Sequence, residues 1–169
     1  MFEELAKYKR IIVSGAQRSG TTICARIISY ELGYEYIDEN DYKIHSVPKL
    51  KEILKFKNIV IQAPAMAHCI EEFSDDDTLI IFMRREIKDI IASQKRIGWD
   101  GNEKTELKKY GLDFNVKQKP ISVIKYKKWE EQKKFIKHYI EIYYESLKGH
   151  KLWVDKKDRN DFTLRQWEK

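Results

Sequence analysis

Ile11-Ile12-Val13-Ser14-Gly15-Ala16-Gln17-Arg18-Ser19-Gly20-Thr21-Thr22-Ile23-Cys24-Ala25-Arg26-Ile27-Ile28-Ser29-Tyr30 is the stretch on which the fold turns. Its first three residues are apolar and β-branched, which marks a short buried strand. Gly15 and Gly20 bracket a tight turn, and from Thr21 the apolar residues fall at helical spacing, at Ile23, Ile27 and Ile28. A strand thus feeds a helix start through a glycine-bounded turn. Such a turn lets the backbone approach a ligand, and its N–H groups with the positive helix end favour a phosphate-like anion.

An ordinary phosphate-binding P-loop reads G-x-x-x-x-G-K-[ST], its Lys on the terminal phosphates and its hydroxyl on Mg²⁺. Gly15-Ala16-Gln17-Arg18-Ser19-Gly20-Thr21-Thr22 puts Thr21 where that Lys stands, and the cation within the loop is Arg18. The later apolar runs end in Gln62-Ala63-Pro64 and Met83-Arg84-Arg85 rather than in Asp. Taken alone, these departures point to phosphate binding without metal-assisted ATP hydrolysis.

Outward from the loop, strand patterns at about 34–37, 58–61 and 78–83 alternate with helical patterns at 47–55, 65–73 and 86–97. Pro120 opens a long helical spacing through Ile121, Ile124, Trp129, Ile136, Tyr139, Ile140, Tyr143 and Leu147, which Gly149 ends, and 151–154 reads as a last short strand. Residues 102–119 carry no clear period and read as a flap. The expectation is one domain over 1–169, an α/β P-loop fold with a central, mostly parallel sheet flanked by helices. In such sheets ligands lie beyond the C-terminal strand ends. Asp38-Glu39-Asn40-Asp41 falls in a loop at that edge, whereas Asp75-Asp76-Asp77 reads as a solvated connection.

The formal net charge of +6 suits an anionic ligand. Cys24 and Cys69 have no metal or redox spacing and read as buried thiols. No apolar run approaches membrane-spanning length, and the first residues lack the basic start of a signal peptide, so a cytoplasmic location is expected.

Three segments resemble PAPS-dependent sulfotransferases, which transfer a sulfuryl group from 3′-phosphoadenosine 5′-phosphosulfate. Arg18-Ser19-Gly20-Thr21-Thr22 is similar to the R-S-G-T-T loop that holds the 5′-phosphosulfate in that family. Phe82 to Ser93 is similar to its strand-to-helix segment, in which an Arg and a Ser eight residues later bind the 3′-phosphate; here they are Arg85 and Ser93. Tyr144-Glu145-Ser146-Leu147 resembles the family's Y-E-x-L. The chain departs from the family at Gln62, where a Lys is common, and at Pro64, where many members place a catalytic His.

The resemblance implies a transferase with a PAPS donor held by Gln17, Arg18, Ser19, Gly20, Thr21, Thr22, Arg85 and Ser93. Arg18 and Glu39 would be catalytic, Glu39 as the base toward an acceptor hydroxyl or amine, with Asp41 and His68 as alternatives. No metal is implied. The partners implied are an anionic nucleotide donor and an acceptor; membrane and nucleic-acid partners are not expected. Two other readings stay open: a P-loop nucleoside or metabolite kinase using ATP, and a non-catalytic nucleotide-binding module.

Overall fold

The computed structural model describes residues 1–99 and 103–153. Its centre is a five-stranded sheet built from β1 (Arg10–Gly15), β2 (Glu35–Asp38), β3 (Ile59–Gln62), β4 (Thr78–Arg84) and β5 (Tyr139–Tyr143). The strand order is β2-β3-β1-β4-β5, and every neighbouring pair is parallel. The mostly parallel sheet expected from the alternation is therefore wholly parallel.

Parallel strands need crossovers, and helices supply them. Helix α1 (Thr21–Leu32) joins β1 to β2, α2 (Val47–Ile53) lies between β2 and β3, and α3 (Ile87–Arg96), α4 (Lys104–Lys109) and α5 (Ile121–Gln132) lie between β4 and β5. Ser46 caps α2 by accepting from the Lys49 N–H, and Gly33 ends α1 in the left-handed conformation at φ 66°. Because helices cover both faces, the inner strands are apolar throughout: Ile11, Ile12, Val13, Ile59, Val60, Ile61 and Leu79 to Met83 are buried.

The sheet divides two cores. One packs Ile12, Ile61, Ile80 and Phe82 against Met66, Ile70, Phe73 and Trp129. The other packs Ile11, Val13, Ile81 and Met83 against Cys24, Ile27, Ile28, Tyr144 and Leu147. Trp129 stacks on Phe82 with ring centroids 4.4 Å apart and an interplanar angle of 7°.

The long helix expected from Pro120 to Leu147 stops at Gln132, and its second half contains β5. Tyr139-Ile140-Glu141-Ile142-Tyr143 also alternates with period two and is β-branched and aromatic, so it fits a pleated strand better than a helix. Pairing along Ile80↔Tyr139 to Arg84↔Tyr143 covers the edge of β4 that would otherwise be open. Within the expected flap, residues 104–109 form α4; position 102 and the tail from 154 lie outside the described residues. Lys151, Leu152 and Trp153 form no strand. The helix expected over 65–73 is instead a 3-10 segment, Pro64–Phe73, kinked at Cys69. Among the described residues no helix is long and apolar enough to cross a membrane.

Candidate functional site

The turn between β1 and α1 lies at the C-terminal edge of the sheet's central strand. Gly15 has φ 146°, and a Cβ there would lie 2.9 Å from Ser19 Oγ and 3.2 Å from the Met83 carbonyl oxygen. Gly20 has φ 99°, and a Cβ there would meet the Tyr144 ring at 2.4 Å. Both glycines are thus required by close approach as well as by φ. Arg18 also has positive φ, at 71°, a strained choice for a side chain with a Cβ. Ser19 N–H donates to the Ala16 carbonyl at 3.0 Å. The Ser19 hydroxyl is buried without a hydrogen-bond partner among the described residues. As at any helix start, the first-turn N–H groups of α1 have no intrahelical acceptor. The loop is closed, strained and rich in donors, as a phosphate cradle needs to be.

The structure brings Arg18, Arg85 and Ser93 together. Arg18 Nε donates to Ser93 Oγ at 3.1 Å, and Arg85 Nη1 donates to the Arg18 carbonyl oxygen at 2.8 Å. The Arg85 guanidinium also lies over the Tyr144 ring, 4.1 Å from its centroid. Its neighbour Arg84 is occupied by Glu141 at 2.8 Å and by Glu130, and ties β4 to β5 and α5. Beside Arg85 and Tyr144 opens a cleft of about 720 Å³, rimmed by Asp89, Lys148, His150 and Trp153.

On the other side of the loop, Gln62 at the end of β3 joins the cradle to the loop after β2. Its Nε2 donates to Thr21 Oγ1 at 3.2 Å, and its Oε1 accepts from the Glu39 backbone N–H at 3.4 Å. Thr21, in the position an ordinary P-loop gives to Lys, is therefore buried and hydrogen-bonded, while Thr22 is exposed. The Glu39 carboxylate is 7% exposed and accepts from the Ala65 N–H at 2.8 Å. Burial pushes its carboxyl up to about 7, against the opposing pull of that N–H and of Lys125. Asp41 is exposed. His68 is half-buried, its ring edge on Tyr110, and burial with the nearby Lys109 charge pulls its imidazole below its ordinary value. Of the three residues considered as a base, Glu39 alone is both enclosed and tuned toward neutrality.

The sequence reading missed the residues that surround Glu39. Lys125 on α5 is 1% exposed. Its Nζ donates to Gln17 Oε1 and lies 3.4 Å from Glu106 Oε2. Burial lowers the Lys125 ammonium to about 8, with Glu106 opposing. Lys109 Nζ lies 3.0 Å from Glu106 Oε1 and donates to the Ala65 carbonyl at 3.2 Å. Burial pushes the Glu106 carboxyl up, but Lys125 and Lys109 outweigh it and hold the group below its ordinary value. One signal for Lys125 was present: it falls midway between Ile121 and Trp129 at i, i+4, i+8, on the buried stripe of the helix.

No protein-family model matches the chain. No curated protein matches it. Solved structures do. Shikimate kinase from Acinetobacter baumannii in complex with shikimate superposes with a TM-score of 0.55 at 14% identity, covering 84% of this chain and 88% of that one. Shikimate kinase from Bacteroides thetaiotaomicron gives 0.49 at 14% identity over 79% and 85%. The YorR protein from Bacillus subtilis, in complex with phosphorylated GDP, gives 0.49 at 12% identity over 79% and 84%.

These findings correct the expected sulfotransferase activity and the expected PAPS donor. The fold is shared with a shikimate kinase, whose structure was solved in complex with shikimate. The reason lies in what the matched segments encode. A glycine turn with an Arg, and an Arg with a Ser two helical turns on, are devices for binding phosphate, and they do not specify which donor carries it. The chain therefore has a P-loop kinase-like fold, a wholly parallel five-stranded sheet between helices with its glycine-bounded loop at the end of the central strand.

Proposed function

We propose that the chain is a P-loop phosphotransferase that moves the terminal phosphoryl group of a nucleoside triphosphate to a hydroxyl of a small metabolite. The observation that carries the reading is the buried Glu39, raised to about 7 and tied to the loop through Gln62 and Thr21. A base tuned near neutrality beside a phosphate cradle is what transfer to an alcohol needs. The fold shared with a shikimate kinase supports it.

In this reading the loop from Gly15 to Thr22 holds the phosphates, with Gln17, Ser19, Gly20 and Thr21 shaping it. Arg18, Arg85 and Ser93 gather positive charge and a hydroxyl on its outer side, where the cleft beside Tyr144 takes the rest of the nucleotide. Glu39 accepts the proton of the acceptor hydroxyl as its oxygen attacks the terminal phosphorus, and the nucleoside diphosphate leaves. Mg²⁺ would accompany the triphosphate. A cation that keeps most of its waters needs only one or two protein oxygens, and the exposed Thr22 hydroxyl and the part-exposed Asp38 carboxylate suit it. When bound it neutralises charge on the phosphate oxygens.

Calorimetric titration with Mg-ATP, Mg-GTP and adenosine 3′,5′-bisphosphate tests the donor, and ³¹P spectroscopy with a panel of hydroxylated acids and sugars tests transfer. Tighter binding of a triphosphate and appearance of a phosphomonoester are expected. A preference for the bisphosphate, with no transfer from either triphosphate, overturns the reading.

A further inference from the structure

Lys125 is the most buried charged side chain among the described residues, enclosed on α5 between Ile121 and Trp129. An ammonium in that position is costly to desolvate, so what it faces is informative. It faces the phosphate loop, through Gln17, and a carboxylate that does not belong to the loop, Glu106. Neither partner depends on Lys125 alone. Glu106 Oε1 is also held by Lys109 at 3.0 Å, and it accepts from Gln17 Nε2 at 3.5 Å.

The loop itself is short of a cation on this side. Thr21 occupies the usual lysine position and its hydroxyl is taken by Gln62, while Arg18 is turned toward Ser93. We propose that Lys125 supplies from α5 the phosphate-binding cation that the loop does not contain, and that Glu106 is an internal anion which the terminal phosphate displaces.

Charge supports the exchange. Glu106 is the ion-pair partner of Lys125 at 3.4 Å, so with Glu106 in place the Lys125 charge is met inside the protein, and once Glu106 withdraws with Lys109 that charge is open to a phosphate oxygen. The carrier of Glu106 suits the movement. Helix α4 has six residues and no side-chain cap at its N-terminus, so little local structure resists its displacement. Withdrawal need not strand the carboxylate, because Lys109 on the same helix travels with it.

The inference rests on the loop's being a phosphate site, and the experiment separates the two. The full chain is titrated with tripolyphosphate and with adenosine, as wild type and as Lys125→Met, Glu106→Gln and the double variant, with thermal melting to verify folding. The double variant removes both charges together and leaves no buried ion alone. Lys125→Met and the double variant are expected to weaken tripolyphosphate by about 10- to 100-fold, the worth of one charge-assisted hydrogen bond. Glu106→Gln should strengthen it by about 3- to 10-fold, since the competing anion is gone. Adenosine should bind all four alike. A purely structural Lys–Glu pair predicts the opposite or no change for Glu106→Gln, and that result overturns the proposal. So does a folded double variant that binds tripolyphosphate as the wild type does, which leaves the phosphotransferase reading standing. A wild type that ignores tripolyphosphate overturns both.

Discussion

Replacing Glu39 by Gln should make the protein more stable above neutral pH while removing its activity. The carboxyl rises from 4.5 to about 7 on folding, because burial penalises the charged form more than the Ala65 N–H and Lys125 favour it. Below pH 4.5 the group is protonated folded and unfolded, and it costs nothing. Between pH 4.5 and about 7 the unfolded chain gives up the proton that the folded chain keeps, so stability falls as pH rises. Above about 7 the full penalty is present, about 3–4 kcal/mol for a shift of this size. Gln removes the penalty and can keep the Ala65 N–H on its amide oxygen, but it buries an extra NH2 donor at a cost of about 1–3 kcal/mol, leaving a net gain of about 1–2 kcal/mol at pH 8. For a chain of this size that is a rise of about 2–8 °C in Tm. Calorimetric melts of both proteins at pH 5 and pH 8 measure it. The gain should be confined to the higher pH, and transfer to the acceptor should drop by about 10²–10⁴. A variant that melts no higher than wild type at pH 8, or with an unchanged pH dependence, refutes the account of Glu39 as a destabilised buried base.

Arg85→Ala should weaken nucleotide binding by about 1.5–3 kcal/mol, read by calorimetry, and leave the melting temperature nearly unchanged because Arg84 carries the ion pairs to Glu130 and Glu141. Gly20→Ala should cost about 1–3 kcal/mol in denaturant unfolding, since its Cβ would enter the Tyr144 ring at a φ of 99°. Trp129→Ala should cost about 3–5 kcal/mol by the same assay, as it removes both the stack on Phe82 and the bond from its indole N–H to Glu141. Cys24 and Cys69 should react with a thiol reagent only on unfolding, because burial raises both thiols, Cys69 to about 12. Fast labelling of the native chain would contradict that.

What was legible in the sequence was local. The β1 strand, its glycine turn and α1 follow from a change of apolar period within twenty residues, and no distant contact is needed to read them. That Arg18, Arg85 and Ser93 lie along one edge was also readable, because strand ends in a parallel sheet share it, but their direct bonds to one another were not, since the resemblance put Arg18 at one end of the donor and the other two at the other. The fifth strand was not, because Tyr139, Ile140 and Tyr143 satisfy helical spacing and alternation at once, and pairing with β4 decides between them. The loop after β2 announced Glu39 but not its shell. Glu106 lies in a polar stretch whose only helix among the described residues is a turn and a half, and its role depends on Lys125 and Gln17, which are far from it in the chain. The donor was misread for a different reason: the matched motifs are of a kind suited to phosphate groups in general, and phosphates are common to many donors.

The central position of β1 has a consequence for how the chain is made. In a sheet ordered β2-β3-β1-β4-β5, the first strand synthesised pairs only with the third and the fourth. Arg10 meets Ile59 on one side and Thr78 on the other, so the ribosome must add 68 residues after Arg10 before its second partner exists. At about 5–20 residues per second, that leaves Ile11, Ile12 and Val13 without their final neighbours for about 3–14 s. The same apolar run that anchors the finished sheet is, for that interval, a sticky segment on a nascent chain. Contacts so distant also put this protein among slow folders, and its yield in cells should respond to chaperone supply more than its native stability would suggest.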